Sequence, residues 1–109
     1  MNIYDDLIPQ LPILEIIKYK EFTTNWKKYK FICIVWGSPS RQGDNSQTRL
    51  IPTKMINTKD INNEIGYSEY FYIDAGTETG EISFKSNGNI IISQYSNANS
   101  VFLKIYGIN

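Results

Sequence analysis

Six carboxylates, Asp60, Glu64, Glu69, Asp74, Glu78 and Glu81, fall between Lys59 and Lys85 with no basic residue among them. Tyr67, Tyr70 and Tyr72 are threaded through the same stretch. Carboxylates at this density can do two kinds of chemistry. Two of them can flank a glycosidic bond as acid and base, or the whole set can steer and hold a cationic surface. No spacing picks out a catalytic pair, and the Asp/Asn-rich pattern of a calcium loop is absent. Tyrosine adds rigid contact area at small entropic cost, which suits an anchor at a protein interface. These nine residues therefore read as a strip that binds a basic protein partner. The competing reading is a solvated sheet face whose Tyr rings cover neighbouring strands.

The residue types that are missing narrow the choice. The chain has no histidine and a single cysteine, Cys33. Without His there is no Ser-His or Cys-His nucleophile, no imidazole base and no His-containing zinc site. One Cys makes neither an internal disulfide nor a thiolate metal cluster. Cys33 sits in the apolar run Phe31-Ile32-Cys33-Ile34-Val35-Trp36, where a buried thiol behaves as a small hydrophobe. The expectation is a binding protein and not an enzyme, with no catalytic residues, no metal and no cofactor.

A second cluster has the opposite sign. Lys18, Lys20, Lys27, Lys28, Lys30, Arg41, Arg49 and Lys54 face only Glu21 and Asp44 over residues 18–54, with Tyr19, Phe22, Trp26 and Tyr29 interleaved. Basic groups alternating with aromatic rings can hold single-stranded nucleic acid. They also fit the solvent face and edge of a hairpin, where Lys blocks edge-to-edge aggregation. Acidic and basic residues balance at 11 each, so nucleic acid is not expected as a partner. The loop from Gly37 to Gln47 lacks both the Gly-Lys-Ser/Thr ending of a P-loop and a G-x-G-x-x-G spacing. It reads as a connection, or as a mobile loop presenting Arg41 and Asp44.

The elements that must position these residues follow from periodicity and breakers. Asn2 and Asp5 suggest a short N-terminal helix limited by Pro9 and Pro12. Alternation over Ile17 to Thr23 and the dense run Tyr29 to Trp36 suggest two strands forming a hairpin, the second buried on both faces. A strand from about Thr48 to Ile56 is demoted to an edge or bulge by Pro52. Asn57, Asp60, Ile61, Ile65 and Gly66 mark a second short helix near 57–65. The remainder reads as a meander: Ser68 to Ala75, Glu81 to Ser86, a type I′ turn at Asn87-Gly88, Asn89 to Tyr95, and Val101 to Ile108. In the first of these strands Phe71 and Ile73 point inward, leaving Tyr70, Tyr72 and Asp74 as an outward stripe. The predicted class is mainly β: an antiparallel β-sandwich or partly open barrel of 6–8 strands, with a single curved sheet as the alternative.

At 109 residues the chain is expected to be one domain, 1–109, and its hydrophobic fraction of 41% is too high for intrinsic disorder. No apolar run approaches the ~20 residues that span a bilayer. The first residues lack the basic and apolar regions of a signal peptide, so a cytoplasmic location without membrane contact is expected. In size, lack of histidine and acidic Tyr-bearing strip, the chain resembles the immunity proteins of bacterial contact-dependent inhibition and other polymorphic toxin systems. The residues behind the resemblance are Asp60, Glu64, Glu69, Tyr70, Tyr72, Asp74, Glu78 and Glu81. It implies a protein that neutralises a cognate toxin domain, typically a basic nuclease, by stoichiometric binding. A phage-encoded inhibitor of a host defence protein, and a sugar- or nucleic-acid-binding β module, remain the alternatives.

Overall fold

A computed structural model describes residues 3–11, 16–37, 47–56, 67–72, 78–96 and 102–109. The protein is mainly β. Its strands in chain order are β1 (Tyr4–Asp6), β2 (Ile16–Phe22), β3 (Phe31–Gly37), β4 (Gln47–Pro52), β5 (Tyr67–Tyr72), β6 (Glu78–Phe84), β7 (Ile90–Ser96) and β8 (Phe102–Ile108). They form two antiparallel sheets of four strands each, in the orders β1-β8-β3-β4 and β2-β7-β6-β5. Each sheet keeps two edges, so the architecture is an open sandwich and not a closed barrel.

Alternation of apolar residues builds the core between the sheets. Ile32, Ile34 and Trp36 of β3, Leu103 and Ile105 of β8 and Ile51 of β4 meet Ile17 and Phe22 of β2, Ile82 and Phe84 of β6, and Ile90, Ile92 and Tyr95 of β7 in one hydrophobic cluster. Ile90 and Ile92 enter it on one phase of β7 and Tyr95 on the other. The change of phase falls at Gln94, whose φ of +57° breaks the pleat between them.

Several expectations need correction. Tyr4–Asp6 is an edge strand, not a helix: it pairs with Tyr106, Gly107 and Ile108, and bonds from Leu7 N–H to the Ile105 carbonyl and from Asn109 N–H to the Ile3 carbonyl flank the ladder. A helix of barely two turns has little stability of its own, and the open edge of β8 offers a full set of partners. Among the described residues the only helical turns are two three-residue 3-10 turns, Trp26–Lys28 and Thr53–Met55. The predicted helix near 57–65 lies outside the described residues, as does the loop from 38 to 46 with Arg41 and Asp44.

The strands β2 and β3 do not form a hairpin; they belong to different sheets. The connection between them is fastened to the β6–β7 turn instead. Thr24 Oγ1 donates to the Gly88 carbonyl, Trp26 N–H reaches the same carbonyl, and the Trp26 indole N–H donates to the Lys85 carbonyl at 3.0 Å. The Trp26 ring packs edge-on against Phe84, with centroids 5.6 Å apart. Burying a large aromatic there stabilises a crossover between sheets over a local turn.

The meander holds for β5, β6 and β7, and the chain then leaves for the other sheet, where β8 lies between β1 and β3. The Asn87-Gly88 hairpin is present but is not type I′, because only Gly88 has a positive φ, +97°. Gly88 N–H bonds the Lys85 carbonyl and Lys85 N–H bonds the Asn89 carbonyl, the pattern of a type I turn closed by a glycine bulge. Pro52 does end an edge strand, as its missing N–H requires.

Candidate partner-binding surface

Backbone register assembles the acidic strip. In sheet β2-β7-β6-β5, Tyr70 of β5 lies across from Glu81 of β6, Glu81 across from Ser93 of β7, and Ser93 across from Tyr19 of β2. Directly opposed residues of antiparallel strands share a face. Ile82 and Phe84, the neighbours of Ser83 on β6, are fully buried in the core, so Glu81, Ser93 and Tyr19 fall on the outer side. The carboxylate of half-buried Glu81 accepts a hydrogen bond from Ser93 Oγ at 3.1 Å, which holds it in the row. Tyr19 closes the row with 62% of its surface exposed.

The next row runs Ser68, Ser83, Ile91, Glu21. Glu21 accepts from the Asn89 amide at 2.6 Å and pairs with Lys85 at 3.3 Å. The Asn89 bond first, then the Lys85 ammonium, lowers its pKa below the ordinary carboxylate value. Glu21 is thus ionised at neutral pH, with its charge paired to Lys85.

Of the predicted site residues, Tyr67, Glu69, Tyr70, Tyr72, Glu78 and Glu81 come together on the adjacent strands β5 and β6. Tyr67 and Glu69 stand opposite Phe84 and Ile82 in the register, and Tyr70 opposite Glu81. The ladder shifts register between Phe71 and Tyr72, where Tyr72 comes opposite Glu78. Asp60, Glu64 and Asp74 lie outside the described residues. Tyr19 and Ser93 complete the row, although about fifty residues of sequence separate Tyr19 from the strip. The alternation that puts Tyr19 and Glu21 on one phase of β2 is a visible signal. Their partner strand is not.

The outer face of the other sheet has a different character. Its rows are Tyr4, Ile108, Phe31, Pro52 and Asp6, Tyr106, Cys33, Leu50. Tyr4 and Leu50 are more than half exposed, the rest of the apolar members are half-buried or just exposed, and Tyr4 stacks edge-on with Tyr106 at 5.3 Å between centroids. Met55, beyond β4, is also exposed. The central strand β3 is therefore apolar on both phases while only one phase is buried. Cys33 is half-buried on this face rather than enclosed, and desolvation raises its thiol pKa, so it is not a ready thiolate. A contiguous apolar area of this kind marks a contact surface.

The basic cluster disperses. Trp26 and Tyr29 are buried, the latter donating its hydroxyl to the Asp5 carboxylate. Lys18 and Lys20 remain exposed on β2, Lys27 donates to the Ser86 carbonyl at 2.9 Å, and Lys28 lies 5.1 Å from the centroid of the Tyr29 ring. Lys27, Lys30 and Lys54 border one open cavity of about 530 Å³ between the two 3-10 turns. Among the described residues no three His, Cys, Asp or Glu side chains are placed to hold a metal ion, and no helix is long and apolar enough to cross a membrane. No protein family, curated protein or solved structure matches the chain.

Proposed function

We propose that this protein is a small binding protein that neutralises a cognate bacterial toxin domain, a basic nuclease being the expected class, by stoichiometric protein–protein contact. The observation that carries the reading is the outer row Tyr19, Ser93, Glu81, Tyr70, which runs across all four strands of one sheet to the edge strand β5. Glu81 and Glu21 attract the basic groove of the partner, and the tyrosines supply apolar contact once water is excluded. Toxin neutralisation as the purpose rests on the resemblance in size and composition. Inhibition of a host defence protein by a phage-encoded chain would use the same surface and the same physics. A stacking module for nucleic acid has less support, because Trp26 and Tyr29 are engaged in the core with their polar atoms paired.

The test is co-expression with the toxin domain encoded beside the gene. The wild-type chain should restore growth, and Tyr19→Ala/Tyr70→Ala should fail to do so while remaining folded. A true aromatic anchor costs ~2 kcal/mol or more on truncation, about 30-fold in Kd each. Undiminished protection by the folded double variant would remove this surface from the reading.

A further inference from the structure

The basic and aromatic residues left unused by that surface meet in the cavity of about 530 Å³ between the Trp26–Lys28 and Thr53–Met55 turns. Its size is that of a site for one small molecule, since such pockets span roughly 300–1,000 Å³. Trp26, Tyr29 and Ile56, all buried, give it apolar walls, and Phe31 adds a partly exposed ring. Lys30 and Lys54 are exposed at its border, and among the described residues no acidic one lines it. Neither ammonium has an ion-pair partner among the described residues, whereas Lys27 is committed to the Ser86 carbonyl.

Thr53 lines the same cavity. The border is also held in place by backbone bonds: Lys30 N–H to the Ile108 carbonyl, Thr53 N–H to the Lys30 carbonyl, and Ile56 N–H to the Thr53 carbonyl. The site is preorganised, so little ordering entropy opposes binding.

We infer that this cavity binds a small amphiphilic anion, with an apolar body against Phe31 and Pro52 over the buried Trp26, Tyr29 and Ile56, and a single carboxylate or phosphate head between Lys30 and Lys54. A nucleic-acid strand does not fit the same observations. It needs several exposed ring faces in succession on which bases stack, and of the rings lining this cavity among the described residues Phe31 alone is exposed, at 37%.

The inference is tested on the full chain by two-dimensional amide NMR during titration with octanoate and, separately, adenosine monophosphate. Octanol and inorganic phosphate serve as controls that lack the head or the body. At least one of the two anions should give saturable shifts at the Trp26 indole N–H and at the Thr53 and Lys54 amides, and which of them does so identifies the head group. Octanol and inorganic phosphate should each bind about tenfold more weakly or not at all, as the loss of one charge-assisted contact or of the apolar body predicts. Lys30→Gln/Lys54→Gln, a surface change that leaves the core intact, should raise Kd about tenfold or more. Absence of saturable shifts with both anions overturns the inference. So does octanol binding as well as octanoate, phosphate binding as well as the nucleotide, or an unchanged Kd in the double lysine variant.

Discussion

Replacing Gly107 by alanine should be one of the most damaging single-methyl changes available to this chain. Gly107 lies on the inner phase of β8, between Asp5 and Ile32 in the sheet, and the Tyr29 ring covers it. A Cβ built there would stand 2.4 Å from Tyr29 Cδ2, 2.5 Å from Cγ and 2.7 Å from Cε2. Carbon atoms in contact prefer ~3.5–4.0 Å, so the ring would have to retreat by about 1 Å or more. It has little room: Tyr29 is buried and tethered through its hydroxyl to Asp5. Overpacking of this kind costs ~1–3 kcal/mol, and losing the hydrogen bond to a charged acceptor adds ~1–2 kcal/mol given that Asp5 is exposed. Gly107→Ala should therefore lose about 2–5 kcal/mol in urea unfolding, with Tm falling by roughly ten degrees or more. The control is a double-mutant cycle. Tyr29→Ala alone should cost ~3–5 kcal/mol as a large-to-small core change, but adding Gly107→Ala to it should cost under ~1 kcal/mol, because the clash has gone. A Gly107→Ala variant within ~0.5 kcal/mol of wild type would refute the packing of Tyr29 on β8.

Other consequences follow from single groups. Gly88→Ala should lose ~1–2 kcal/mol, because φ of +97° strains any L side chain even though the new Cβ would meet the Thr24 carbonyl oxygen only in ordinary contact at 3.4 Å; thermal unfolding checks this. Burial first, and the Asp5 carboxylate second, pushes the Tyr29 phenol up to about 12 from its ordinary 10.0. The folded state thus holds this proton more tightly than the unfolded chain. Its contribution is complete below pH 10, and stability should fall as pH rises from 10 to about 12, a decline that Tyr29→Phe should flatten in a stability–pH series. Glu21 has the opposite sign: its pKa is lowered from 4.5, so its contribution is present above that value and is lost as pH falls through the folded pKa. Glu21→Gln should make the acid limb of the same series shallower.

Strand positions were legible because apolar runs and alternation are local properties. The dense run Ile32 to Trp36 and the alternating Leu103 and Ile105 each announce a strand without reference to the rest of the chain. Pairing is not local, and the β2–β3 hairpin expected from adjacency gives way to the crossover that buries Trp26 against Phe84. The same limit hid the row through Tyr19, since period-2 patterning shows which residues share a face but not which strand lies beside them. β3 misled for another reason. Phe31, Cys33 and Val35 are as apolar as Ile32, Ile34 and Trp36, and hydrophobicity alone cannot separate a face covered by the protein's own core from one left open. At the N-terminus, residues suited to a helix cap became an edge strand because tertiary pairing outweighs the propensity of a few residues. In the β6–β7 turn the Asn-Gly pair signalled the hairpin correctly, yet the turn type depends on backbone angles that the dipeptide leaves free.

The outer faces of the two sheets differ in chemistry, one acidic and tyrosine-bearing with Ser83 and Ile91 buried within it, the other apolar, and the functional reading commits to the first. Calorimetric titration of the chain with the toxin domain encoded beside its gene tests that commitment most directly. The account predicts one-to-one binding that weakens with salt, is lost by about 30-fold or more on Tyr19→Ala or Tyr70→Ala, and survives Leu50→Asp on the opposite sheet. Absence of binding, or binding abolished by Leu50→Asp and indifferent to Tyr19 and Tyr70, would contradict it.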